Sequence, residues 1–185
     1  MRVNIARLEL VASALLLGVA AVWSRLRGID LVAALRPSLD GAALGAACGV
    51  ALAATLPLVT APWARRVLLL RGLRRAWDAL ESGLGPGLGV AEILVLALCS
   101  AISEEAFFRG VLQREVGLVA ASAFFGLLHP LGVAYVVWAA TVGAGLGVLF
   151  LASGSLLAPI VAHGTYNLVA LAYLRRRSHR PEDLR

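Results

Sequence analysis

The chain lacks lysine altogether, and its 185 residues include only two cysteines and three histidines, with 15% charged residues. Each shortage closes off a class of protein. Cys48 and Cys99 both lie inside apolar runs, where a small apolar thiol is ordinary. They offer neither a disulfide framework nor a metal-ligand spacing. So little charge, with 60% hydrophobic residues and a mean hydropathy of +0.85, excludes an ordinary soluble domain. Without lysine, all 17 basic residues are arginine and the formal net charge is +6. These arginines cluster at the flanks of apolar runs, which is the pattern of topology signals and lipid headgroup contacts. The expected partner is therefore a lipid bilayer and not a nucleic acid. Internal repeats are also missing, which speaks against a transporter built from inverted halves.

What is present is a series of apolar runs. A helix needs about 20 mostly apolar residues to cross a bilayer, and six segments approach that length: 8–24, 41–64, 88–103, 116–129, 131–152 and 155–174. The expected fold is all-α, a polytopic membrane bundle of about six transmembrane helices. The third and fourth segments are short, and the polar stretch 104–115 makes up the missing length. It must lie near membrane depth, buried in protein or lining a wet cavity, because lipid cannot solvate it. Arg2 and Arg7 precede the first run, Arg65, Arg66, Arg71, Arg74 and Arg75 follow the second, and Arg175, Arg176, Arg177 and Arg180 follow the sixth. Excess positive charge marks cytoplasmic loops, so both termini are expected in the cytoplasm, with Arg25, Arg27, Arg36, Asp30 and Asp40 on the other side.

The stretch "RRVLLLRGLRRAWDALESG" interleaves arginine and leucine at near-helical spacing, as an amphipathic interfacial helix does, and "GLGPGLG" after it is a breaker. Residues 1–87 thus read as two N-terminal transmembrane helices plus a basic linker, 88–174 as a four-helix core and 175–185 as a basic tail. The first run is expected to be a retained helix and not a signal peptide, since Glu9 interrupts it and no small-residue cleavage pattern follows.

The polar residues inside the core are few, and each costs about 2.5–3.5 kcal/mol near the bilayer centre. Glu105 and Arg109 stand one helical turn apart and can neutralise each other. Glu104 points about 100° away from that pair on the same helix and keeps no such partner, which suits a general base in an apolar setting. Phe125 and His129 are one turn apart, as are His163 and Asn167. An imidazole can orient a water, and an amide can donate to a developing oxyanion. One such residue alone is more often a packing residue. Two histidines, an amide and a spare glutamate on successive helices point to a site.

Glu104-Glu105-x-x-x-Arg109, Phe125-x-x-x-His129 and His163-x-x-x-Asn167, in that order on apolar helices, resemble the motifs of the CAAX-protease and bacteriocin-processing (Abi, CPBP) family of intramembrane peptidases, whose short bacterial members include the myxosortases. The resemblance covers 88–174. It implies an intramembrane endopeptidase of the bacterial inner membrane that hydrolyses a membrane-anchored peptide or protein tail. Glu104 would be the base, His129 its partner in activating water, and His163 with Asn167 the oxyanion stabilisers, supported by Glu105, Arg109 and Phe125. No cofactor is expected. The alternative is zinc held by His129, His163 and Glu104, although the His-Glu-x-x-His helix of zinc peptidases is missing. A non-catalytic immunity or regulatory protein of the same fold is the rival to the enzyme.

Overall fold

The computed structural model describes residues 4–179; Arg2 and the end of the basic tail from Arg180 lie outside them, while Arg175, Arg176 and Arg177 continue the last helix. The described residues form nine α-helices and no strand: α1 Ile5–Leu26, α2 Leu31–Leu35, α3 Leu39–Ala53, α4 Leu56–Thr60, α5 Leu68–Leu84, α6 Val90–Phe107, α7 Gln113–Leu127, α8 Val133–Ser153 and α9 Leu157–Ser178. Side-chain oxygens start three of them in the usual way: Asn4, Asp30 and Ser38 accept from the amides of Arg7, Ala33 and Gly41 at 3.1, 2.8 and 3.0 Å.

Four helical segments are long and apolar enough to cross a membrane: Ile5–Leu26, Leu39–Thr60, Val133–Ser153 and Leu157–Ser178. With large apolar side chains such as Leu8, Val11, Leu15, Val19 and Val22 exposed along α1, the chain is a multi-pass integral membrane protein. The other two expected spans take a different form. α6 carries Glu92, Glu104 and Glu105, and a π-helical turn, Phe108–Leu112, joins it to α7. The result is one helical rod over 90–116, about 40 Å long at ~1.5 Å per residue. The rod ends at Gly117, whose φ of 82° and ψ of 168° suit glycine alone. From there the rest of α7 folds back along the rod, so that Phe125 packs on Phe108 with ring centroids 5.0 Å apart. The expected fourth span is thus the short return arm of a hairpin, too short to cross by itself.

The helices outside the expected core wall this hairpin. α1 runs parallel to the rod, as two links far apart along it show: the Ser13 and Ser103 hydroxyls are 3.1 Å apart, and Arg27 Nε donates to Glu115 at 2.8 Å. α3 lies along α9 through a stripe of small residues, Gly41, Gly45, Gly49 and Ala53, buried at four-residue intervals, which lets two backbones approach closely in a membrane. A Cβ added at Gly49 would meet the Ala162 carbonyl oxygen at 2.5 Å and Thr165 Cβ at 2.7 Å, whereas one at Gly18 on α1 would meet nothing within 4 Å. Gly49→Ala is therefore expected to lower the thermal midpoint in detergent, at a cost of about 1–3 kcal/mol for overpacking. Gly18→Ala should leave it unchanged or raise it; equal midpoints for the two variants would contradict this packing.

The basic linker is helical, as its periodicity suggests, but it does more than lie on a surface. α5 buries Leu73, Ala76 and Trp77, with Trp77 against Tyr173 of α9 at 5.7 Å between ring centroids. Its Arg74 is buried too, donating to the Thr60 carbonyl and to Asp78 Oδ1. The Gly/Pro breaker forms the short 3₁₀ turn Gly85–Gly87 that leads into α6.

Candidate active site

The centre of the bundle is the Glu105 carboxylate, with no exposure to solvent. Its Oε1 accepts from Arg109 Nη1 at 3.1 Å, one turn along the rod, and lies 2.8 Å from His163 Nδ1 on α9. Arg109 is held on every side. Its Nη2 donates to the Gly143 carbonyl of α8 at 2.8 Å, and its guanidinium stacks over the Phe125 ring at 4.8 Å, a cation–π contact strengthened by desolvation. The fork geometry of arginine is what allows one side chain to serve a carboxylate and a carbonyl together. One turn further along the rod, Gln113 Nε2 donates to the Gly147 carbonyl at 3.2 Å. The pair Arg109 and Gln113 thus matches the pair Gly143 and Gly147, and the absence of side chains on α8 there opens its carbonyls to the rod.

The His163 ring hydrogen-bonds to Glu105 and is also near enough for its charge to act on Glu104. An imidazole Nδ1 beside a carboxylate is the donor, so Glu105 fixes both the ring's orientation and its tautomer, leaving Nε2 on the far side. Asn167 is tied to the rod as well. Its Nδ2 donates to Ser100 Oγ at 3.1 Å, and that serine donates to the Leu96 carbonyl at 2.5 Å. The amide is therefore tethered to α6 one turn before Glu104 and retains one free N–H.

Glu104 is left as the spacing suggested. Its Oε2 is buried without a hydrogen-bond partner, as is Oε2 of Glu105. His129, His163, Glu105 and Glu9 are all near enough for their charges to act on it. His129 sits at the end of the return arm, where its Nδ1 lies 2.7 Å from the Phe125 carbonyl. A carbonyl only accepts, so Nδ1 carries the proton and Nε2 presents a lone pair. Phe125 is the spacer common to both histidines, with ring centroids 4.7 Å from His129 and 6.0 Å from His163. Glu104, Glu105, Arg109, Phe125, His129 and His163 are thus linked into one locus built from the rod, the return arm and α9, with Asn167 one turn along α9 from His163.

Two groups at this locus were missed. Tyr135 of α8 lies 6.4 Å from His129 between ring centroids and within electrostatic reach of Glu104; nothing in its surroundings in sequence distinguishes it. Glu9 of α1 could have been found. It is a carboxylate inside an apolar run, and Ser13 Oγ donates to its Oε1 at 2.6 Å while also touching Ser103, the residue just before Glu104.

Among the described residues, no three His, Cys, Asp or Glu side chains are placed to hold one metal ion. The donors are committed elsewhere: one nitrogen of each histidine is engaged, and one oxygen of Glu105 is shared by two partners.

Neither a curated protein nor a solved structure matches the chain. A family model does, over residues 86–169, and its description is Rce1-like, type II CAAX prenyl endopeptidase. That interval holds all three motifs, the hairpin and the Glu105 centre, so it is in the part that carries the candidate site that the chain is similar to the Rce1-like endopeptidases.

Proposed function

We propose that the chain is an intramembrane endopeptidase of a bacterial inner membrane, with both termini in the cytoplasm, that cleaves a membrane-anchored peptide or protein tail with a water activated by Glu104 and His129. The observation that carries the reading is Glu104, whose buried Oε2 has no partner, beside a second carboxylate whose Oε1 is shared by Arg109 and His163. A carboxylate without a structural partner at such a cost has to be maintained for another reason.

The steps balance with these groups alone. Glu104 accepts a proton from water as its oxygen attacks the scissile carbonyl, and the Nε2 lone pair of His129 holds the water's second hydrogen. The charge that develops on the carbonyl oxygen is met by the free N–H of Asn167 and by His163 as the imidazolium, with its Nδ1–H on Glu105 and its Nε2–H toward the oxyanion. Collapse of the tetrahedral intermediate breaks the C–N bond, and the proton on Glu104 passes to the departing amine. Glu105 and Arg109 do not touch substrate; they hold His163 and Phe125 in place.

In this reading no metal takes part. Purified protein in liposomes, given a lipid-anchored fluorogenic peptide, is expected to keep its cleavage rate through treatment with a strong chelator. Complete loss that zinc alone restores would overturn the metal-free mechanism, and absence of cleavage from every anchored peptide tried, by protein that also fails to process tails in cells, would overturn the peptidase reading itself.

A further inference from the structure

The candidate active site lies midway along the rod, and the end of the bundle where the rod reaches Gly117 carries a second feature that peptide cleavage leaves unused. There a cavity of 440 Å³ opens between the α1–α2 turn, the rod and the end of α8, lined by Asp30, Arg36, Arg114, Phe150, Leu151 and Gly154 among others. Its size is that of a small-ligand site. Two guanidiniums reach into one cavity, and among the described residues neither has a carboxylate within ion-pair distance. The nearby Glu115 is already taken by Arg27 at 2.8 Å.

The arginines are placed by the fold. Arg36 has a φ of 37°, the one positive value at a non-glycine residue among those described, a conformation that costs about 1–2 kcal/mol for an L-residue. The turn is pinned there: Ser155 Oγ donates to the carbonyls of Leu35 and Arg36, and the Leu156 amide donates to Ala34. Gly154, the left-handed cap of α8 with a φ of 63°, stands beside the guanidinium: a Cβ there would touch Arg36 Nη1 at an ordinary contact distance of 3.7 Å. Arg114 lays its guanidinium over the Phe150 ring at 5.6 Å. Asp30 uses Oδ1 to cap α2 and adds one negative charge to the rim. Leu151 beside it is exposed, as a surface facing acyl chains would be.

Two cations for a phosphate, one anion for an amine and an apolar flank describe one class of ligand. We propose that this cavity binds the headgroup of an amine-bearing phospholipid, with Arg36 and Arg114 on the phosphodiester and Asp30 on the ammonium, at the membrane face opposite α5. The site is independent of the peptidase chemistry. A bound headgroup would tie the α1–α2 turn, the rod and the α8–α9 turn together, and so brace the hairpin that carries the active site.

The test is native mass spectrometry and thermal denaturation of the whole protein in detergent, with phosphatidylethanolamine, phosphatidylcholine, phosphatidylglycerol or inorganic phosphate added. Wild-type protein is expected to retain and be stabilised by phosphatidylethanolamine above the others. Retention should fall about tenfold in R36N/R114Q, as expected for loss of charge-assisted hydrogen bonds. Asparagine at 36 keeps the left-handed turn accessible, and Arg114→Gln alone, at an exposed position, supplies a second reading. Arg25→Gln, on the same face and outside the cavity, should bind as the wild type does. Equal retention by wild type and R36N/R114Q would overturn the site. Stabilisation by inorganic phosphate equal to that by lipid would make it a free-anion site, and equal retention of phosphatidylglycerol and phosphatidylethanolamine would remove the role of Asp30.

Discussion

Glu104→Gln is expected to lower the cleavage rate by about 10²–10⁴-fold, the range for loss of a general base, while the protein accumulates in the membrane and melts at or above the wild-type temperature. The two halves of that result come from one observation. Glu104 Oε2 is buried and has no partner, so replacing the carboxylate by a neutral amide of the same shape removes no hydrogen bond and relieves the burial of a potential charge. A residue kept for its chemistry at the expense of the fold is expected to show this opposition of activity and stability. The measurement is paired: turnover of an anchored peptide in liposomes, and the thermal midpoint of the same preparation. Wild-type turnover would sink the assignment, and a lowered midpoint would show that Glu104 is a packing residue after all.

Arg109→Leu should give the reverse pattern, with loss of fold first and of activity as a consequence. The guanidinium is 2% exposed and Glu105 is wholly buried. Removing one partner of such a pair leaves an uncompensated charge and costs about 3–5 kcal/mol. Here the damage extends further, because the same side chain tethers α8 through the Gly143 carbonyl and stacks on Phe125. Arg109→Lys should recover only part of the loss, since a point charge cannot serve Glu105 and Gly143 in a fixed fork. Denaturation in mixed micelles would measure both variants, and a midpoint for Arg109→Leu within error of the wild type would refute the structural role.

What could be read from the sequence was whatever lies within one turn of one helix. The Glu105–Arg109 contact, the separation of Glu104 from it and the shared faces of Phe125 with His129 and of His163 with Asn167 all follow from a period of 3.6 residues. What could not be read was how each helix is rotated against its neighbours. Two adjacent glutamates differ by about 100° around the axis, and only the packing of α9 on the rod decides which of them meets His163. The same holds for Ser100 with Asn167. The fourfold spacing of Gly143 and Gly147 gains meaning only once α8 is known to lie beside Arg109 and Gln113. Glu9 interrupts the first apolar run in plain view, but only the packing of α1 along the rod, through Ser13 and Ser103, brings it near Glu104.

The turn at Gly117 makes the return arm a measuring device. Glu104 lies thirteen residues before this turn and His129 twelve after it, so the two reach the same depth because the two arms are matched in length. One residue inserted between Gly117 and His129 would slide the imidazole by about 1.5 Å and swing it by about 100°, taking it off the locus while every local contact of the helix could still form. The chain can therefore vary in composition along this arm far more freely than it can vary in length.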